Sequence, residues 1–105
     1  MATHKHPRRD LDELLTNPIR LSIVAALSGV ERAEFALIRD AVEITDAALS
    51  KQVALLEQAG YLSVDKGRVG RRPRTWLRLT DAGRAAYGAH LRALRAIAGD
   101  SPFSG

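Results

Sequence analysis

Apolar residues recur at two different spacings along this chain, and the changes of spacing divide it. From Pro7 to Gly60 they fall three and four apart, from Tyr61 to Leu79 they alternate, and from Thr80 the helical spacing returns. In PRRDLDELL, Leu11, Leu14 and Leu15 share one face, which predicts a short helix from about Pro7. The stretch NPIRLSIVAALSG is bounded more sharply. Asn17 is a capping residue, Pro18 suits the first helical position and Gly29 suits the end. Ile19, Ile23, Val24 and Leu27 form its buried stripe.

AEFALIRDAVEITDAALSKQVALLEQAGY reads as two helices around a tight corner. The first, over 34–42, is expected to bury Phe35, Leu37, Ile38 and Val42. At the corner Ile44 points inward and Thr45 caps the second helix, 46–59, whose inner face carries Leu49, Val53 and Leu56. Gly60 ends it. Two helices of this length around a short turn make a helix-turn-helix unit. Leu62 and Val64, then Leu77 and Leu79, predict the two strands of a hairpin, with KGRVGRRPRT as a long basic tip bent by its glycines and Pro73. Trp76 is expected to cover the hairpin's outer face, with Arg78 beside it. Thr80 caps a final helix, DAGRAAYGAHLRALRAIAG, in which Tyr87, Leu91, Leu94 and Ala98 form one stripe and a series of alanines offers a second, flatter surface. Two apolar faces on one terminal helix exceed the needs of one small core, so one of them is expected to meet a second copy.

The fold class that follows is α+β, mostly α: a winged helix-turn-helix with a two-stranded β-hairpin wing and terminal dimerisation helices. At 105 residues there is room for a single domain, 1–105, whose polar ends, 1–6 and 100–105, are expected to be flexible.

Charge sharpens this picture. The chain has 16 basic and 12 acidic residues, and six of the basic ones, Lys66, Arg68, Arg71, Arg72, Arg74 and Arg78, fall within 66–78 without an acid among them. Everything outside that segment is slightly acidic, so the basic character is local. A cationic loop on a near-neutral body suits a polyanion, and arginine in particular offers planar, multi-donor contact to phosphate. On the helix 46–59 the outward set includes Ala47, Ser50, Lys51 and Ala54. The small residues permit close approach to a groove, while Ser50, Lys51 and Gln52 can donate to phosphates or base edges. Asp46 opposes DNA but favours the helix dipole. Arg84 is expected either to touch the backbone of DNA or to pair with a neighbouring acid.

Other chemistries find no support. There is no cysteine, hence no disulfide or thiolate metal site, which fits a reducing compartment. His4, His6 and His90 are scattered, and no metal site is expected. No nucleophile–base set, phosphate-binding loop or paired-acid constellation is present, so the chain is not expected to be an enzyme or to need a cofactor. No apolar run approaches a membrane span, and no apolar segment follows the basic N-terminus as in a secretory signal. The expected location is cytoplasmic, on the nucleoid when bound to DNA.

The segments LSKQVALLEQAGY, GRRPRT and LTDAGRAAY, together with NPIRLSIVAAL and its Arg20-Leu21 pair, resemble the compact winged-helix regulators related to the MarR and ArsR groups. The likeness spans roughly residues 11–97. It implies a homodimeric transcriptional regulator that binds double-stranded DNA, with its first and last helices at the dimer interface. Leu11, Leu14, Leu15, Tyr87, Leu91, Leu94 and Ile97 are the residues this assigns to dimerisation. By position it assigns DNA contacts to Ala47, Ser50, Lys51 and Gln52 on the helix and to Arg71, Arg72 and Arg74 on the wing. Thr45 at the head of the helix, with Lys66 and Arg68 in the loop, completes the expected DNA surface. Metal-sensing relatives use cysteine or clustered histidine, which this chain lacks. A small-molecule effector stays open, and the competing reading is a winged-helix module that docks proteins without sequence-specific DNA binding.

Overall fold

The computed structural model describes residues 5–101 and residue 103 of the chain. Its elements are α1 (Pro18–Ser28), β1 (Ala33–Glu34), α2 (Phe35–Val42), α3 (Asp46–Gln58), β2 (Leu62–Val69), β3 (Arg72–Leu79) and α4 (Asp81–Gly99), preceded by two 3₁₀ turns, Pro7–Asp10 and Glu13–Thr16. The strands form one antiparallel sheet in the order β1-β3-β2.

Three of the four helices, α1, α3 and α4, start where a side chain accepts their unpaired amides; α2 follows Glu34 without a side-chain cap. Asn17 Oδ1 takes the N–H groups of Ile19 and Arg20, Thr45 Oγ1 that of Ala48, and Thr80 Oγ1 that of Gly83. The helix-turn-helix corner is made by a left-handed residue, Glu43 at φ 61°, around which Ile44 N–H reaches back to Arg39 O and Glu43 N–H to Asp40 O. The same double return ends α3, where Gly60 at φ 82° lets Tyr61 N–H reach Leu56 O and its own N–H reach Glu57 O. Glycine relieves the steric cost of that conformation at Gly60; Glu43 bears it.

The core lies between α1, α2, α3 and the inner sheet face, with Ile23, Leu27, Leu49, Leu56 and Leu77 fully enclosed. Tyr87 and Ala86 of α4 pack against its edge.

Three expectations need correction. The N-terminal segment is not a helix but the two 3₁₀ turns, because Asp12 interrupts: its Oδ1 accepts Leu14 N–H and starts the second turn afresh. The expected two-stranded hairpin wing is present as β2 and β3, and the short β1 adds a third strand beside it, Ala33 and Glu34 pairing with Leu77 and Trp76. The basic segment is strand almost to its end. Register runs from Leu62↔Leu79 to Val69↔Arg72, which leaves Gly70 and Arg71 as a two-residue loop, with Gly70 at φ 64° in the first loop position where such hairpins favour glycine. Leu37 is 63% exposed, so it points away from the core instead of into it.

The histidines have structural places. His90 is buried, and its Nδ1 accepts the Asp12 N–H at 3.0 Å. His6, expected in a flexible tail, caps the first 3₁₀ turn through Arg8 N–H and lies 3.3 Å from Asp100. His4 falls outside the described residues. Among the described residues no group of His, Asp or Glu is placed to hold a metal, and no helix is long and apolar enough to cross a membrane.

Candidate nucleic-acid interface

The outward side of α3 is open. Ala47, Ser50, Lys51 and Ala54 are exposed, as is Thr45 at its head, whose hydroxyl is occupied as the cap. Asp46, the one acid in the first turn, is not an uncompensated charge. Arg39 on α2 donates Nη1 to Asp46 Oδ1 at 2.8 Å and Nε to Asp40 Oδ1 at 2.9 Å. Those bonds, chiefly the one to Asp40, hold the Arg39 guanidinium well above its ordinary pKa and Asp40 below the usual carboxylate value. Sequence reasoning missed Arg39. Its spacing of seven from Asp46 crosses the corner, so no single-helix periodicity links the two.

Gln52 sits differently from the other expected contacts. It is half-buried on the flank of α3 that faces α1, and its Oε1 accepts a 2.9 Å hydrogen bond from Arg20 Nη1. On the opposite flank, Ser50, Ala54 and Glu57 border an open groove of about 480 Å³ whose far wall is the hairpin, with Val64, Lys66 and Thr75.

Strand alternation divides the wing's cations between its two faces. Lys66 shares the groove face with Thr75, and Arg68, two residues on, follows it. Arg72 and Arg74 project from the reverse face with Trp76, and Arg71 stands in the loop between. Lys66, Arg68, Arg71 and Arg72 are exposed. Arg74 is half-buried, and its Nε lies 3.8 Å from Glu34 Oε1, close enough for charge attraction but too long for a hydrogen bond, so this buried nitrogen is unpaired. Trp76 is covered by Arg32, whose guanidinium carbon lies 4.3 Å from the ring centroid. Arg84, for which the sequence offered DNA backbone or an acid, pairs with no acid among the described residues. It donates to Ser28 O at 3.1 Å and Val30 O at 3.0 Å, closing the C-terminal end of α1.

The residues assigned to dimerisation separate in the same way. Leu15 is 0% exposed inside this chain's own core, because the 3₁₀ turn rolls it inward, and it has no surface to offer a partner. Leu11 and Leu14 are half-buried, as are Tyr87, Leu91 and Ile97 on α4, and Leu94 is 38% exposed.

A helix-turn-helix whose second helix shows small and donor residues to solvent, beside a cationic hairpin, defines a winged-helix DNA-binding protein. The chain belongs to the winged helix DNA-binding domain family, whose model matches residues 19–98. Its fold superposes on the transcriptional regulator homologue of Pyrococcus horikoshii OT3 with a TM-score of 0.82 at 27% identity, over 90% of this chain and 95% of that one. The uncharacterized protein MJ0432 of Methanocaldococcus jannaschii is 28% identical over 75 residues, which is 71% of this chain and 82% of that protein. The PcaV transcriptional regulator of Streptomyces coelicolor, solved with its natural ligand, shares the fold at a TM-score of 0.69 and 22% identity, over 87% of this chain and 63% of that one. The chain is a winged-helix transcriptional regulator, as its likeness to the compact MarR-type proteins implied.

Proposed function

We propose that the chain regulates transcription, as a repressor, by binding a pseudo-palindromic duplex site as a homodimer. The two copies of α3 enter successive major grooves about 34 Å apart, and the hairpin meets the backbone or minor groove beside each. Ser50 and Lys51 read or grip the groove from the exposed side of α3, and Lys66, Arg68, Arg71 and Arg72 supply phosphate contacts that carry affinity more than sequence information. Occupancy of a promoter blocks its use.

The observation that carries this reading is the pairing of an open, small-residue face on α3 with four exposed cations on the adjoining hairpin. The half-buried and exposed apolar residues of α4, Leu91 and Leu94, supply a surface for the second copy. PcaV was solved with a natural ligand, which supports an effector-controlled version of the same scheme.

The test is a titration against random-sequence duplex at several salt concentrations, run beside sedimentation of the free protein. Four phosphate contacts per subunit predict a logarithmic salt slope steepened by roughly 0.9 for each contact. Binding that ignores salt, or no binding, would favour a module that docks proteins.

A further inference from the structure

Arg20 is a half-buried cation at the junction of α1, the Glu13–Thr16 turn and α3. Its Nε donates to the Leu14 carbonyl oxygen at 2.6 Å, and its Nη1 to Gln52 Oε1 at 2.9 Å. Among the described residues no carboxylate comes within ion-pair distance of it, in contrast to Arg39 with its two acids. Both anchors are neutral oxygens, so the guanidinium serves to fix geometry.

That geometry has a chemical consequence for Gln52. A guanidinium carries donors only, so the Gln52 amide must turn its oxygen towards Arg20 and its NH₂ away. Among the described residues the NH₂ has no hydrogen-bond partner, and it is not one of the buried unpaired polar atoms, so it faces water. Gln52 is thereby held as a donor.

Its place on the helix decides what it donates to. At 100° per residue Gln52 lies about 140° around the helix axis from Ala47. It therefore cannot face the floor of a groove that Ala47 faces. It lies on the flank away from the hairpin, next to the exposed Lys51. A donor at that rim meets sugar-phosphate backbone rather than base edges.

We propose that Arg20 is a positioning residue for DNA binding, holding the Gln52 NH₂ as a donor to a backbone phosphate on the rim of the major groove opposite the wing. The proposal rests on α3 being the helix that enters the groove. In that arrangement α3 is gripped from both flanks, by the hairpin on one side and by Gln52 with Lys51 on the other.

The experiment is a double-mutant cycle on the full chain, with affinity for a random-sequence duplex as the readout and thermal melting as the fold control. Arg20→Lys keeps the charge but loses the fork that spans Leu14 and Gln52. Gln52→Met removes the donor while nearly keeping the shape. Each should weaken duplex binding about ten-fold, as expected for losing a hydrogen bond to a charged group. The double variant should bind no more weakly than Gln52→Met alone, because Arg20 acts only through Gln52. Unchanged affinity in Arg20→Lys, or losses that multiply, would overturn the proposal while leaving DNA binding intact. A wild-type protein that binds no duplex would overturn both. Should Arg20→Lys fail to melt cooperatively, Gln52→Glu carries the test. It preserves the acceptor for Arg20 and should melt like wild type, yet lose ten-fold or more in affinity. Wild-type affinity in that variant would reject the proposal.

Discussion

The hydroxyl of Tyr61, at the start of the hairpin, donates a 2.5 Å hydrogen bond to Asp12 Oδ2, 49 positions earlier in the chain. Asp12 is thereby shared among three elements. It caps the Glu13–Thr16 turn through Leu14 N–H, gives its own N–H to His90 on α4, and receives Tyr61. The N-terminal segment is thus tied to α4 and to the end of α3 by hydrogen bonds, in addition to the burial of Leu15 in the core.

That bond gives stability an alkaline dependence. The Asp12 hydrogen bond first, then burial, then the nearby negative charge, raise the Tyr61 pKa above its ordinary value of 10.0. Below that value both folded and unfolded chains keep the proton, and the contribution is complete. Above it the unfolded chain loses the proton first, so stability falls until the folded hydroxyl ionises too. Tyr61→Phe should cost about 1–2 kcal/mol at neutral pH. It should also flatten the decline above pH 10, which melts across an alkaline series will show.

Gly83 is required by contact, not by torsion. A Cβ there would stand 2.1 Å from the Tyr61 carbonyl oxygen, which already accepts Thr80 N–H. Backbone cannot yield as a side-chain tip can. Gly83→Ala should therefore lose about 2–3 kcal/mol in denaturant unfolding. Gly88→Ala, in the same helix, meets only the Arg92 guanidinium at 3.4 Å and should be neutral or gain up to about 1 kcal/mol from helix propensity.

Arg39 predicts a charge effect on binding. Arg39→Ala releases Asp46 from its ion pair at the head of α3 and should weaken duplex binding several-fold. Adding Asp46→Ala should restore much of the loss, since repulsion needs the carboxylate. The readout is affinity for random duplex at low salt, with the difference shrinking as salt rises.

The arginines of the hairpin and of α4 should separate cleanly. Arg68→Ala should lower the salt slope of duplex binding by about 0.9 per subunit, or about 1.8 for the bound dimer. Arg84→Ala should leave that slope alone and cost about 1 kcal/mol of stability, because it removes the donors that close α1.

Much of this architecture was legible in the sequence, for local reasons. Asn17-Pro18, Thr45, Gly60 and Thr80 mark helix boundaries through interactions within a few residues, and each holds in the structure. The misreadings have non-local causes. Leu15 shows the spacing of a surface stripe, but whether such a stripe meets its own core or another copy depends on how Asp12 is held, and its partners lie in distant segments. Glu43 carries no glycine or asparagine signal for its left-handed conformation, and the two-residue strand at Ala33–Glu34 is too short for any periodicity. On the candidate surface, Ala47, Ser50 and Lys51 are exposed as their helix positions imply. The Arg20–Gln52 pair joins residues 32 positions apart, and only the folded chain brings them together.

Pro73 has a further consequence. β1 covers β3 only at Trp76 and Leu77, so the stretch Arg72–Thr75 leaves one side of its strand unpaired. In a two-residue hairpin closed by Val69 and Arg72, the nitrogen of residue 73 turns towards that open side. Proline there has no hydrogen to give an incoming strand, and like charges on either side of it repel a second wing. The most extended and least covered part of the molecule is thereby protected from edge-to-edge aggregation.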